Sequence, residues 1–175
     1  MTITLKKAIR ADSKYTKFKE IMTKELGRID LEADITELKT LHQTRQSRVL
    51  YGNKNKYSAN VLMEASLQDL SARSRMVEIR VSLSNRLAVM ESAIKAFSRY
   101  VYVEYVLNDP NYTTEAQRNN FISDVLVVWK EKIERGKIVL EMADAFIKDI
   151  DQAGYNLRNM MDCLKLLSET AGKVI

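Results

Sequence analysis

The sequence predicts an all-α protein, with three long helices forming an elongated antiparallel coiled-coil or helical bundle that is expected to be oligomeric. Three observations carry this. Five glycines and one proline in 175 residues are too few for the tight turns of a β fold. Leu, Ile, Met, Ala, Glu, Lys and Arg dominate, a helix-forming mixture. Apolar residues also recur at three- and four-residue steps along most of the chain. With 46% hydrophobic and 29% charged residues, the chain has enough apolar surface to bury a core rather than stay disordered.

Residues 2–13 are short and basic, and Ser13 is a candidate N-cap. Tyr15, Phe18, Met22, Leu26 and Ile29, then Leu31, Ile35, Leu38 and Leu41, step along one helical face. The period predicts a first helix over 13–50, with a phase shift past Gly27, ended by the turn-prone run from Gly52 to Asn55. A second helix is expected over 58–107, clearest from Met76 through Ile79, Leu83, Leu87, Met90, Ile94 and Phe97 to Val101. Val101–Val106 is β-prone in isolation, but the helical period reaches it without a breaker. Asn108 to Asn111 forms a loop, after which Thr113 or Thr114 caps a third helix with Glu115 in its first turn. In that helix Val139, Ala143, Phe146, Ile150, Ala153, Leu157, Met160, Leu164, Leu167 and Ala171 step 4-3-4-3. A seam of four heptads is a coiled-coil or bundle signature. Val139, Phe146, Ile150, Leu157, Met160, Leu164 and Leu167 are therefore the candidate oligomerisation residues, although a compact bundle could hide the same stripe. The organisation expected is a basic N-terminal helix and turn over 1–57 and a helical hairpin over 58–175, as one continuous domain.

Chemistry is hard to place on this chain. The single cysteine, Cys163, excludes an intrachain disulfide and a Cys-rich zinc site. One histidine excludes a His-based metal centre and the Glu-x-x-His pairs of a di-metal bundle. Gly136 and Gly154 lie inside helical pattern, with no Gly-Lys-Ser/Thr following as a phosphate loop requires. The pairs Glu131/Glu134, Asp144/Asp149 and Asp149/Asp151 neighbour lysines and arginines and read as solvated ion-pairing faces. No enzyme activity, catalytic residue, metal, cofactor or small-molecule substrate is expected. No apolar run is long enough to span a membrane and no signal-peptide pattern opens the chain, so a cytoplasmic protein (host-cytoplasmic if phage-encoded) is expected.

Charge is distributed unevenly. Residues 1–60 hold 13 Lys and Arg against 7 Asp and Glu, and residues 61–175 hold 15 against 16. From Thr40 to Met63 there is no acid. Lys39, His42, Arg45, Arg48, Lys54 and Lys56 are interleaved there with Tyr51 and Tyr57, and His42, Arg45 and Arg48 are three apart on a helix face. Cations for phosphates and aromatic faces for bases are what a single-stranded nucleic-acid binder needs. A protein partner or an acidic lipid surface would suit the same segment. Arg73, Arg75, Arg80 and Arg86 could extend this surface or pair with acids of the third helix.

Two segments carry a family likeness. Arg45-Gln46-Ser-Arg48-Val-Leu-Tyr51-Gly52-Asn-Lys54 resembles the basic helix end and Tyr-(Ser/Thr)-Gly-Lys turn of UvsY-type recombination mediators of tailed phages, with Leu50 and a direct Tyr51-Gly52 in place of that family's second aromatic and Ser/Thr. Lys130 to Glu134, Ile147 to Ile150 and Gly154 to Asn159 are similar to its C-terminal helix. The resemblance implies an all-helical oligomer that binds single-stranded DNA and helps a RecA-like recombinase displace a single-strand-binding protein. Arg45, Arg48, Lys54 and Tyr51 would touch the strand, and Val139–Leu167 would drive assembly. The function expected is thus a non-enzymatic, single-stranded DNA-binding recombination or replication accessory, acting as a homo-oligomer with a recombinase or other protein partner. The alternatives are a structural or scaffold component of a virion or secretion-type assembly, and a helical subunit of a ribonucleoprotein.

Overall fold

A computed structural model describes residues 2–45, 47 and 58–171, and all regular structure among them is helical. In chain order these are α1 (Thr2–Ala11), α2 (Ser13–Leu26), α3 (Leu31–Gln43), α4 (Ala59–Val101), a π-helical turn (Tyr102–Val106) and α5 (Glu115–Ala171). No helix among them is long and apolar enough to cross a membrane. Contacts group the chain into two compact units. One is formed by the residues up to Asp30 with Leu83–Ile138, the other by Leu31–Ser82 with the residues from Val139 on.

Over its described residues the first helix expected at 13–50 is in fact two, α2 and α3, so the fold is all-α without being three long helices. Residues 2–11 form a helix of their own. Asp12, not Ser13, caps α2: its backbone is extended, and its carboxylate accepts from the Lys14 N–H at 2.7 Å, satisfying a donor that the first helical turn leaves open. At the other end of α2, the Arg28 and Ile29 amides bond back three residues to Glu25 and Leu26. This tightens the last turn and stops the α-helical ladder at Gly27. Glu32 and Asp34 then sit in the first turn of α3, where the helix dipole favours acids.

In the first unit, α2 packs on α4 and α5 through rings. Phe18 stacks on Phe97 with centroids 4.7 Å apart and meets the edge of Trp129 at 5.8 Å. Ile9, Met22, Met90, Val101, Val106 and Leu126 complete a fully buried interior. The two long helices run antiparallel here: Leu87 meets Gly136, and ten residues further along α4, Phe97 shares the Phe18 ring with Trp129, seven residues back along α5. Gly136 permits this approach, because a Cβ there would lie 2.7 Å from a Leu87 methyl carbon.

The β-prone stretch after Val101 resolves into the π-helical turn. Residues five apart point about 140° apart on an α-helix at 3.6 residues per turn. The wider turn brings Tyr105 round to the side of Tyr100, so that both hydroxyls donate to one Asp12 oxygen, at 2.6 and 2.7 Å. These bonds hold the Asp12 carboxyl below its usual range and push both phenols up. After the loop, Thr114 caps α5 in a reciprocal box. Its hydroxyl accepts from the Gln117 N–H at 3.3 Å while the Gln117 side-chain oxygen accepts from the Thr114 N–H at 3.2 Å.

In the second unit, Leu38, Met76, Ile79, Val139, Ala143, Ile150 and Leu157 are buried. Leu62, Ala65 and Leu157 form a cluster against which Met160, Met161 and Leu164 pack. The α4 residues expected to share a face, from Met76 to Val101, are all buried.

Candidate nucleic-acid interface and the buried charge network

The C-terminal end of α3 was the candidate nucleic-acid surface, and the structure turns most of its described part inward. Lys39 is exposed. His42 lies flat on the Phe146 ring, with centroids 4.0 Å apart and planes 6° apart, and its Nε2 is 2.8 Å from Asp149 Oδ2. One turn later, the Arg45 side chain is only 2% exposed. Its Nε donates to the His42 carbonyl at 3.2 Å, and its Nη2 donates to Asp149 Oδ2. Its Nη1 faces Asp69 Oδ2 at 4.0 Å, beyond hydrogen-bond reach, and neither atom has another hydrogen-bond partner among the described residues. The second Asp69 oxygen accepts from the buried Ser47 hydroxyl at 2.8 Å.

So the three-residue spacing of His42 and Arg45 does bring them together, but onto α5 rather than toward solvent. The apolar Phe146 face and the Asp149 carboxylate supply what a flat ring and a guanidinium both need. Arg48, Tyr51, Lys54, Lys56 and Tyr57 lie outside the described residues.

The two carboxylates of this network are pushed in opposite directions. Burial raises the Asp69 carboxyl, against the Ser47 hydroxyl and Arg45, and the Asp149 charge adds to the rise. Burial also opposes ionisation of Asp149, but the bonds from His42 and Arg45 outweigh it and hold that carboxyl below the usual range.

The second arginine group is an ion-pairing face. Arg73 grips Asp151 with two nitrogens, at 2.6 and 3.3 Å, and Arg80 grips Asp144 in the same fork geometry. Arg75 holds Glu37 of α3 at 2.6 and 3.2 Å and Glu78 at 3.0 Å, and that bond keeps the Glu37 carboxyl low against the effect of burial. In the other unit, Arg86 lies 3.8 Å from Glu25. The planar guanidinium matches a carboxylate with two parallel N–H groups, which suits such sites better than a lysine. On α5, Asp144 and Asp151 receive Arg80 and Arg73, while Arg75 and Arg86 pair with acids of α2, α3 and α4.

The seam expected to drive assembly closes largely within the chain. Val139, Ile150 and Leu157 belong to the core, and Phe146 lies under His42. Met160 and Leu164 pack on the Leu62 cluster, and only Leu167, 65% exposed, points outward. An intrachain partner was available because α3 and α4 both offer an apolar face to this stretch of α5.

A different stripe remains outside. Met63, Leu67, Leu70, Val77 and Val81 follow one another at steps of four, three, seven and four along α4, with Ser74 in the gap. Four of them are among the exposed large apolar residues of the chain, Leu67 at 62%. The sequence reading followed only the inward stripe of α4. The same step count applied from Met63 finds the outward one. Stepped back from Met76, the inward stripe passes Ala72, Asp69 and Ala65, and Asp69 is buried as that position requires.

No group of three or more His, Cys, Asp and Glu side chains is arranged to hold a metal ion among the described residues. Comparison with protein-family models, with curated proteins and with solved structures returned no match, so a functional reading rests on this chain's own residues.

Proposed function

We propose that the chain is a non-enzymatic helical protein that works by association, pairing with further copies of itself through the outward stripe of α4 and taking single-stranded nucleic acid as a second ligand. The stripe from Met63 to Val81 is the observation that carries this. A water-facing helix usually shows one apolar face, whereas α4 shows two, and its inner one is already occupied. Nearly three heptads of exposed apolar side chains form a continuous patch of the kind that marks an interaction site. Glu64 and Glu78 flank the stripe on one side and Arg73 and Arg80 on the other. A parallel pair would set Arg73, already forked onto Asp151, near Glu78 of the second copy, five positions on, so the apolar stripe rather than a new ion pair carries the pairing.

Sedimentation velocity tests this reading. The chain is expected to sediment as a dimer or larger species at micromolar concentration. Leu67→Glu/Leu70→Glu is expected to sediment as a monomer with unchanged helical circular dichroism. A wild-type chain that stays monomeric at those concentrations would reject the self-pairing.

The nucleic-acid part rests on the acid-free run from Thr40 to Met63. With Arg45 committed to Asp149 and Asp69, the strand-binding cations are Lys39, Arg48, Lys54 and Lys56, with Tyr51 and Tyr57 as stacking faces. On the UvsY-like reading this makes the chain an accessory to a recombinase on single-stranded DNA. An unstructured oligonucleotide titrated at two salt concentrations is expected to bind more weakly at the higher one, since each neutralised phosphate releases counterions. Arg48→Ala/Lys54→Ala/Lys56→Ala is expected to lower the affinity about tenfold or more and to flatten the salt slope by roughly the number of contacts removed. Absence of binding at low salt would leave a structural or scaffold role. Preference for RNA would point to a ribonucleoprotein subunit.

A further inference from the structure

In the first unit a groove of about 250 Å³ runs between α2 and α4. Ile21, Ala93, Ala96 and Phe97 form its floor, and Lys14 and Lys17 stand on its rim. No carboxylate is among the side chains that line it. Lys24, one heptad beyond Lys17, continues the basic edge along α2. Lys17 and Lys24 have no ion-pair partner among the described residues, and Lys14 feels the Asp12 charge without a close pair, whereas Arg73, Arg75 and Arg80 of the other unit are all clamped on carboxylates. Val89 and Ile21, both nearly half exposed, extend the apolar floor.

The shape and charge together select an occupant. Ala93 and Ala96 lie three apart and carry only methyl groups, so another backbone can approach α4 closely at that turn. The aromatic rings offer no free face to a nucleobase. Phe97 is 5% exposed beneath Phe18. Tyr100 is tied by its hydroxyl to Asp12, and the Lys14 ammonium lies 5.8 Å from its ring centre. A concave apolar floor also suits a helix better than a flat bilayer surface. We infer that this groove receives an amphipathic helix of a partner protein, with the apolar face of that helix against Ala93 and Ala96 and its flanking carboxylates against Lys14 and Lys17. This is helix-in-groove recognition, in which apolar anchors supply affinity and the charged rim sets orientation and partner choice.

The test uses the full chain and a fluorescein-labelled peptide of about 18 residues, with leucines at three- and four-residue steps and glutamates on both flanks. Its binding is followed by anisotropy and mapped by amide chemical shifts on the isotope-labelled protein. The peptide is expected to bind and to shift residues around Lys14, Ile21, Ala93 and Ala96, while a scrambled peptide of equal composition does not. Lys14→Glu/Lys17→Glu is expected to weaken binding about tenfold or more while the variant keeps native helical circular dichroism. The same variant should recover affinity for a peptide whose glutamates are replaced by lysines, which a merely unfolded variant could not do. Equal binding of the scrambled peptide, or shifts mapping elsewhere, overturns the proposal. So does a thymidine oligonucleotide or a phosphatidylserine vesicle that occupies the groove in place of the peptide.

Discussion

Arg45→Ala is expected to cost about 3–5 kcal/mol of folding stability at neutral pH, the loss that follows when one member of a buried ion pair is removed and the other is left behind. Two side chains of this network, Arg45 and Asp69, are at most 4% exposed, so water does not replace the missing guanidinium. The Asp69 carboxyl, already raised by burial, rises further once Arg45 is gone. A carboxyl whose folded value lies above the unfolded value of about 3.9 binds its proton more tightly in the folded state. Its contribution to stability is complete below the unfolded value and lost as pH climbs through the folded one. The deficit of the variant should therefore shrink as pH is lowered from 7 toward 5. Asp149 works the other way. Its folded value is depressed, so its stabilisation is present above the unfolded value and fades only as pH falls through the lower folded one. That loss lies below the window in which Asp69 recovers. Chemical denaturation followed by far-ultraviolet circular dichroism at pH 7 and pH 5 reads the effect. Adding Asp69→Asn to Arg45→Ala should restore at least half of the lost stability at pH 7, because no buried charge then remains unpaired. If Arg45→Ala alone costs less than about 1 kcal/mol, a value typical of an exposed pair, Arg45 is solvated and the surface reading of this residue returns.

The same residue shows where sequence reading reaches its limit. Periodicity identifies which side chains share a face, and that was enough for the inward stripe of α4 and for Val139 to Leu157 on α5. It does not say what the face meets. The α5 seam could be covered by a second chain or by this chain's own α3 and α4, and both give the same step count. Charge has the same ambiguity. An arginine free to meet a phosphate and an arginine clamped on an aspartate from a helix 60 or more residues away look alike until tertiary pairing is known, as Arg73 and Arg80 demonstrate. The break between α2 and α3 shows in the sequence only as a phase shift at Gly27, because apolar residues resume at the right spacing just beyond it. The π-helical turn had a signal in the β-branched and aromatic run after Val101. Its cause, two tyrosines drawn to Asp12, which lies 88 and 93 residues before them, is a tertiary contact that local propensity cannot contain. Asp69 was legible in principle, since a charge at a stripe position flanked by Ala65 and Ala72 has to be buried and needs a partner.

Phe18→Ala should produce a loss of similar size in the other unit, about 3–5 kcal/mol, as expected for removal of a buried ring from a packed core. Phe18 is 4% exposed, and its ring is the meeting point of three others: Tyr15 at 6.2 Å, Phe97 at 4.7 Å and Trp129 at 5.8 Å. Offset-stacked and edge-on pairs of this kind add about 0.5–1.5 kcal/mol each beyond area burial. Removing the ring therefore forfeits geometry as well as hydrophobic transfer. Phe18→Leu separates the two contributions. It keeps most of the apolar volume and loses the ring pairs, and is expected to cost about 1–2 kcal/mol. Trp129 provides a local readout because it is the only tryptophan. In Phe18→Ala its emission should shift to longer wavelength in the folded state, as water reaches the indole edge that Phe18 covers, whereas Arg45→Ala should leave folded-state emission unchanged. A Phe18→Ala variant with native emission and a stability loss below about 1 kcal/mol would mean that α2 is held to α4 and α5 by something other than this ring cluster. The remaining candidates would then be the Asp12 bonds to Tyr100 and Tyr105 and the buried Ile9 and Met22 side chains.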